Sequence, residues 1–404
     1  MKYIVLVGDG MAGRPLKRLG YKTCLQKAKT PNMDRLVSQG EPGKVRTIPK
    51  GFEPGSDVAN LSILGYDPSR YYSGRAPLEA VFQGLSLAPK DVVFRCNLVS
   101  LEFKKSKTLM RDYSSGHITT GESKKLIQDI QKKLGSGKIA FFPGVSYRHL
   151  MLWKDGKMNI RCTPPHDISG RNISRYLPEG EGADVLLNIM TRSVEILSSH
   201  PLNHKRVEKG LLPANSLWFW GHGRKLSIPQ FRDKYNLKGA LISAVDLTKG
   251  LGICAGFDVL NVKGATGYID TNYIGKARAA LRALKKYDIL YVHVEAPDEA
   301  GHNGDIKNKI RAIEDFDLKV VGTVLNGMKV FKDYSILLLP DHATPISMMT
   351  HTDEPVPFVI YRNTTSSKMN RGKAHAFTEY ICRMKNIPDF EKGYNLMDYF
   401  VKGR

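Results

Sequence analysis

Three aspartates and three histidines of this chain fall at the ends of apolar, strand-like runs, where side chains from distant segments can converge. Asp9 follows YIVLV at 3–7, with Gly8 between. Asp298 and His302 lie in VEAPDEAGH at 294–302, past a strand-like run that ends near Val294. Asp341 and His342 follow ILLLP at 336–340, and His351 closes the next loop ahead of PVPFVIY at 355–361. In open parallel sheets ligands bind outside the carboxyl ends of strands, so residues in these positions can meet. Singly each has an ordinary explanation: Asp-Gly after a strand is commonly a turn, and an Asp and His four apart on a helix are often just solvated. Together they make a set of hard oxygen and borderline nitrogen donors that suits Mn²⁺ or Zn²⁺, and the lack of thiolates argues against a structural zinc site. Six or seven such ligands are enough for two cations, which at ~3.5–4 Å apart clamp the attacking and leaving oxygens of a phosphoryl group.

Such a centre needs a nucleophile, and PGSDVANLSILGYDP at 54–68 supplies one. Ser56 follows the Gly/Pro loop PKGFEPG, and the apolar pattern from Val58 to Leu64 indicates a helix that begins near it. A phosphate there would meet free backbone N–H groups and the positive end of the helix dipole. Serine at a helix start is also a common N-cap, so the metal ligands are what make the nucleophilic reading the better one.

The elements that must position these residues read as an α/β layered sheet, with strands expected at Tyr3–Val7, Leu217–Trp220, Ala240–Ala244, Ile289–Val294, Ser335–Leu339 and Pro357–Tyr361. Helices are expected from Pro31, capped by Thr30, over Gly275–Tyr287, and over Ile306–Leu325. The middle of the chain is lysine-rich and broken by GSGK at 135–138 and PEGEG at 178–182. It reads as a smaller α+β domain at 85–215, inserted into a discontinuous domain of 1–84 and 216–404.

The 404 residues carry a net charge of +22, spread along the chain: 21 Lys and Arg against 12 Asp and Glu in 85–215, and 40 against 27 elsewhere. With no basic tail and no interleaving of aromatic and basic residues, this suits anionic small molecules better than nucleic acid. No run approaches the ~18–20 apolar residues of a membrane span, and the apolar start is too short for a secretory segment. Five cysteines stand singly, as expected of a reduced, cytoplasmic setting.

The ordered blocks TPNMDRL at 30–36, PGSDVANLSILGYDP at 54–68, GRAPLEA at 74–80, FRCNLVSL at 94–101 and PGVSYRHL at 143–150 resemble the archaeal-type, cofactor-independent phosphoglycerate mutases of the alkaline phosphatase superfamily. The resemblance continues through TPPHDI at 163–168, ISAVDL at 242–247, GATGY at 264–268 and VHVEAPDEAGH at 292–302. It implies an alkaline-phosphatase-like three-layer α/β domain, with an inserted domain that closes over the substrate. It implies that Asp9, Ser56, Asp341 and His342 hold one metal and Asp298, His302 and His351 the other. It further implies that 3-phosphoglycerate and 2-phosphoglycerate interconvert through a phosphoserine at Ser56, with no 2,3-bisphosphoglycerate. Mn²⁺ is the first expectation, and Zn²⁺, Co²⁺ and Mg²⁺ suit the same donors. A mutase must also grip glycerate while the phosphate is on the serine; His117, Arg148, His149, His166 and Asp167 are the candidates, with Lys263, Arg75 and Arg224 for phosphate charge. A metal-dependent phosphomonoesterase, or another phosphomutase, would share the same core residues. A non-catalytic phosphate or nucleic-acid binder would have no need of the whole ligand set and Ser56.

Overall fold

Lys2–Gly8, Ile289–Val294 and Tyr334–Leu339 are runs of Ile, Leu, Val and Tyr buried on both faces, the pattern of central strands in a covered sheet. In the computed structural model, which describes residues 1–364 and 374–403, they lie parallel with Lys2–Gly8 in the middle. The whole sheet has eight strands, in the order Asp258–Val259, Gly239–Ile242, Ile289–Val294, Lys2–Gly8, Tyr334–Leu339, Val356–Asn363, Glu41–Val45 and Asp389–Phe390. The first five are parallel, and Val356–Asn363 runs against both its neighbours.

Alternate residues face opposite layers. Ile4, Leu6, Leu290, Val292, Ile336 and Leu338 pack with Met33, Leu36, Phe316, Val320 and Met328 from helices on one side. Tyr3 and Tyr291 point the other way, where Tyr3 meets the ring of Phe400 at 5.5 Å and Tyr291 bonds to Asn60. This is the three-layer α/β arrangement expected from the sequence. Two helices start near where the spacing puts them, as Pro31–Gln39 and Tyr273–Ala283. The stretch Ile306–Met328 is helical throughout, but Phe316–Val321 widens into a π-helix that the spacing did not show. There Asp317 is buried and accepts hydrogen bonds from the Asn32 and Met33 amides, so a side chain of one helix caps another.

The chain divides into two units, Met1–Tyr72 with Ser227–Arg404, and Ser73–Leu226. The smaller unit begins earlier and ends later than 85–215. Helix Ala76–Phe82 packs on the strand Val92–Lys104, and Ser216–Arg224, expected in the larger domain's sheet, pairs antiparallel with that same strand. Lys107–Asp112 and Arg148–Trp153 also pair with Val92–Lys104, and Ile139–Phe142 adds to Arg148–Trp153, all antiparallel. Helices Thr120–Leu134 and Ala183–Ser198 cover the sheet, which makes an α+β unit with its own core. No helix among the described residues is long and apolar enough to cross a membrane, and all five cysteines are free thiols.

Candidate metal centre

Parallel pairing in register sets the stage: Gly8 lies opposite Val294 and Val7 opposite Leu339, so the residues just beyond these strands emerge level with one another. Asp9 is pinned by its N–H to the Val294 carbonyl at 3.0 Å. Asp341 is held more firmly. Its Oδ1 accepts from the Gly10 and His342 amides at 3.1 and 2.9 Å, and its Oδ2 from Asn60 Nδ2 at 2.8 Å. Asn60 is itself aimed by Tyr291, whose hydroxyl donates to Asn60 Oδ1 at 2.5 Å.

Ser56 is the first residue of helix Ser56–Ile63; Gly55 takes the N-cap position, and no side chain caps the helix. The serine hydroxyl is therefore free of a capping role, and its Oγ lies 3.0 Å from His342 Nε2. Asp9, Asp298, Asp341 and His342 are buried, whereas Ser56 is partly exposed. That is the arrangement a nucleophile served by enclosed ligands requires.

Hydrogen bonds fix the three rings. His302 Nδ1 lies 3.0 Å from the Met349 carbonyl and His351 Nδ1 3.2 Å from the Pro54 carbonyl, and a carbonyl can only accept, so each Nδ1 carries the proton. Thr344 Oγ1 donates to Asp298 Oδ1 and stands 3.3 Å from His342 Nδ1, from which it accepts. All three Nε2 atoms are thus left to turn lone pairs inward. His302 Nε2 and His351 Nε2 face each other at 2.8 Å, with Asp298 Oδ2 3.2 Å from the first and Asp298 Oδ1 3.6 Å from the second. His342 Nε2 is 3.4 Å from Asp9 Oδ1, which has no hydrogen-bond partner among the described residues.

The seven residues expected from the sequence come close together here, five of them in two groups of donors, with Ser56 beside His342 and His302 beside His351. Potential donor atoms of Asp298, His342 and His351 fall within 4.8 Å of one another, and so do those of Asp9, Asp341 and His293. Lone pairs aimed at each other and an orphaned carboxylate oxygen fit positive charge between them. So do the protonation equilibria. Burial, then the charges of Asp341, Asp298 and Glu295, push the Asp9 carboxyl well above its ordinary value. Burial would raise Asp298 as well, but the adjacent His302 and His351 rings hold it well below. Burial lowers His342 to about 4. Burial also works against a charged His302, yet the adjacent Asp298 prevails and raises that ring to about 9. In the metal-free protein, then, protons stand where cations are wanted.

Four contributors escaped the sequence reading. His293 lies within a strand, not after one, and Thr344 is a short polar residue in a loop. Asn60, one helical turn after Ser56, could have been found from that spacing, since its Nδ2 also bonds to the Ser56 carbonyl at 2.7 Å. Lys309 reads as one more polar helix residue. It is buried, and its ammonium bonds to the carbonyls of Ala12 and Thr344, tying together two loops that carry candidate donors.

In the smaller unit the structure gathers three of the expected glycerate-binding residues on one aromatic patch. The His117 ring is 6.2 Å from Tyr147, Tyr147 is 5.6 Å from Tyr113, Tyr113 is 6.1 Å from His166, and His166 is 5.1 Å from Trp220. The Arg148 guanidinium lies 5.6 Å over Tyr147. His117 ends three consecutive residues in the left-handed region, Ser115, Gly116 and His117, with φ of 53°, 64° and 51°. Backbone held in so costly a form commonly marks a functional turn. Asp167 is exposed, 3.6 Å from His166. His149 points the opposite way along its strand. It is enclosed, accepts the Gly144 N–H at 3.0 Å, and is pushed down to about 3 by burial. Arg75 begins helix Ala76–Phe82, and Arg224 reaches the Gly156 carbonyl at 3.4 Å. Lys263, in the larger unit, is exposed in a turn ahead of helix Tyr273–Ala283.

The chain is 52% identical over 401 residues to a probable 2,3-bisphosphoglycerate-independent phosphoglycerate mutase of Geobacter sulfurreducens, an alignment that covers 99% of this chain and 100% of the relative. It belongs to that family. A second 2,3-bisphosphoglycerate-independent phosphoglycerate mutase, from Methanosarcina barkeri, is 49% identical over 406 residues and 100% of both chains. The family model of the 2,3-bisphosphoglycerate-independent phosphoglycerate mutases matches residues 38–203. Among solved structures, a Pyrococcus horikoshii protein superposes with a TM-score of 0.82 at 29% identity, over 100% of this chain and 97% of that one. A cofactor-independent phosphoglycerate mutase from Thermoplasma acidophilum superposes with a TM-score of 0.66 at 27% identity, over 100% and 99%. Membership of the 2,3-bisphosphoglycerate-independent phosphoglycerate mutases, joined to the two donor groups, implies dependence on divalent metal.

Proposed function

We propose that this chain interconverts 3-phosphoglycerate and 2-phosphoglycerate through a phosphoserine at Ser56. Asp9, Ser56, Asp341 and His342 would hold one divalent cation and Asp298, His302 and His351 a second, Mn²⁺ being the first choice. The single observation that carries this reading is the partly exposed Ser56 Oγ at 3.0 Å from His342 Nε2, with no capping duty, beside buried carboxylates. Bound cations would lower the proton affinity of the serine oxygen and neutralise the transferring phosphoryl group.

In the first half-reaction Ser56 Oγ forms a bond to phosphorus as the ester bond to the 3-oxygen breaks, and the serine proton ends on the departing 3-hydroxyl. In the second, the 2-hydroxyl attacks the phosphoserine, its bond to Ser56 Oγ breaks, and the proton returns to the serine. Amides in the first turn of helix Ser56–Ile63 face the phosphate in both steps. His117, Arg148, His166 and Asp167 are the proposed grips on glycerate while it turns, with Lys263, Arg75 and Arg224 as neutralisers of phosphate charge. His149 would support Arg148 from within the core.

The test supplies 3-phosphoglycerate and Mn²⁺ to the purified chain and follows 2-phosphoglycerate, inorganic phosphate and the mass of the Ser56 peptide. Formation of 2-phosphoglycerate without free phosphate, with transient addition of one phosphoryl group to that peptide, supports the proposal. Phosphate as the main product would assign the chain to phosphomonoester hydrolysis instead.

A further inference from the structure

The two oxygens of Asp9 face different ways. Oδ1 looks toward His342 Nε2 at 3.4 Å and toward the serine side of the centre, without a hydrogen-bond partner. Oδ2 looks toward His293 Nε2 at 3.1 Å. The other two carboxylates each receive hydrogen bonds that set their rotamers, Asp341 from two amides and Asn60, and Asp298 from Thr344. Asp9 has no such amide or hydroxyl among the described residues, and His293 occupies the place where one would stand.

His293 is well fixed for the task. It sits on strand Ile289–Val294 opposite Val7, is wholly enclosed, and its carbonyl accepts from Lys276 Nζ at 3.2 Å. Its Nδ1 lies 3.4 Å from Ser243 Oγ, and that oxygen already accepts the Val245 N–H at 3.0 Å. The serine hydroxyl can donate to Nδ1, an arrangement that puts the ring proton on Nε2, which faces Asp9 Oδ2 at 3.1 Å and, farther off, Asp341 Oδ2 at 3.9 Å. His293 Nε2 approaches Asp9 without yet having the angle of a formed hydrogen bond. A small rotation of the carboxylate, drawing Oδ1 toward a cation, would bring Oδ2 onto that proton.

We propose that His293 is a positioning residue for the metal centre, donating Nε2–H to Asp9 Oδ2 so that Asp9 Oδ1 is presented to the cation beside Ser56. Partners behind a metal ligand matter because they hold it in the bound rotamer; their loss typically weakens metal binding ~10–100-fold. The inference rests on the assignment of Asp9 as a ligand.

The experiment titrates Mn²⁺ into the chelator-stripped full-length protein, reading free Mn²⁺ by electron paramagnetic resonance, and records the visible spectrum of the Co²⁺-loaded form. His293→Leu should bind one of two Mn²⁺ ions about 10–100-fold more weakly and the other as in the parent. His293→Gln, whose amide nitrogen can take the place of Nε2, should recover most of that loss. His293→Asn, too short to reach, should not, which gives a second comparison if the leucine variant fails to fold. The Co²⁺ band positions should stay the same. Parental affinity in His293→Leu, or a Co²⁺ spectrum that has lost a nitrogen ligand in that variant, overturns the proposal, the latter because His293 would then be a ligand itself. Asp9→Ala separates the two layers: unchanged binding of both ions there refutes the ligand assignment, whereas loss of one ion leaves it standing whatever the His293 variants do.

Discussion

His302 Nε2 and His351 Nε2 stand 2.8 Å apart with each ring's other nitrogen turned to a backbone carbonyl. Two neutral rings so placed would oppose lone pair to lone pair, so either a proton or a cation belongs between them. The choice depends on pH. Despite burial, Asp298 raises His302 to about 9, above the ordinary 6.5. In the metal-free protein the stabilisation from this charged ring is complete below about 6.5 and is lost as pH rises through about 9. Asp9, raised as well, acts in the same direction. Metal binding has the opposite sign, since the proton must leave first. Thermal unfolding of the stripped protein is expected to occur at lower temperature at pH 9 than at pH 6.5, while Mn²⁺ affinity climbs over the same interval. A metal affinity that is flat across that range would contradict the protonation described.

Ser56→Ala is expected to cut turnover at least about a thousandfold, the scale on which an essential nucleophile acts. Binding of Mn²⁺ should persist, because the buried carboxylates and imidazoles remain. A coupled assay beside a metal count checks both halves of the expectation.

Thr344 donates to Asp298 and accepts from His342, so its hydroxyl links two members of one donor group. Thr344→Val keeps the shape and removes the hydroxyl, and should lower metal affinity and turnover by about 10–100-fold. Thr344→Ser should restore both. Parental metal affinity and turnover in Thr344→Val would show that the hydroxyl is not what matters.

Gly10 has a φ of 58°, and a Cβ there would lie 2.4 Å from Asp298 Oδ1 and 2.5 Å from Thr344 Oγ1. Gly10→Ala should therefore displace Asp298 and cost at least about 1–2 kcal/mol from the left-handed backbone alone. Unfolding and metal binding measured together should both suffer; loss of neither would mean the loop relaxes freely.

On the smaller unit, Arg148→Ala should raise the KM for 3-phosphoglycerate by roughly tenfold or more, the worth of about 1.5–3 kcal/mol in a charged hydrogen bond. His149→Leu, on the buried face of the same strand, should change thermal stability far more than KM. Steady-state kinetics and melting curves on the two variants separate the roles.

The centre was legible where the chain announces it by position. Asp9, Asp298, Asp341 and His342 follow apolar runs, which a parallel sheet in register makes neighbours, and His351 leads into one. His293 was hidden because it lies inside ILYVHV, where a histidine reads as one buried strand residue among others. The fold was read well where periodicity is simple. It was misread at Leu217–Trp220, since an apolar run does not say which sheet it joins, and here cross-strand pairing with Val92–Lys104 decides. The π-helical turn at Phe316–Val321 does not show in the spacing, and the bonds that Asp317 makes there, to the amides of Asn32 and Met33, join residues far apart in sequence.

The larger unit is interrupted between Tyr72 and Ser227, and its donors run from Asp9 to His351. During synthesis the opening segment must wait while the intervening unit and most of the remainder emerge, a delay on the order of tens of seconds at ~5–20 residues per second. Until His351 leaves the ribosome no nascent chain holds the full set of donors, so metal capture is a late event of biogenesis, after the smaller unit has had time to fold.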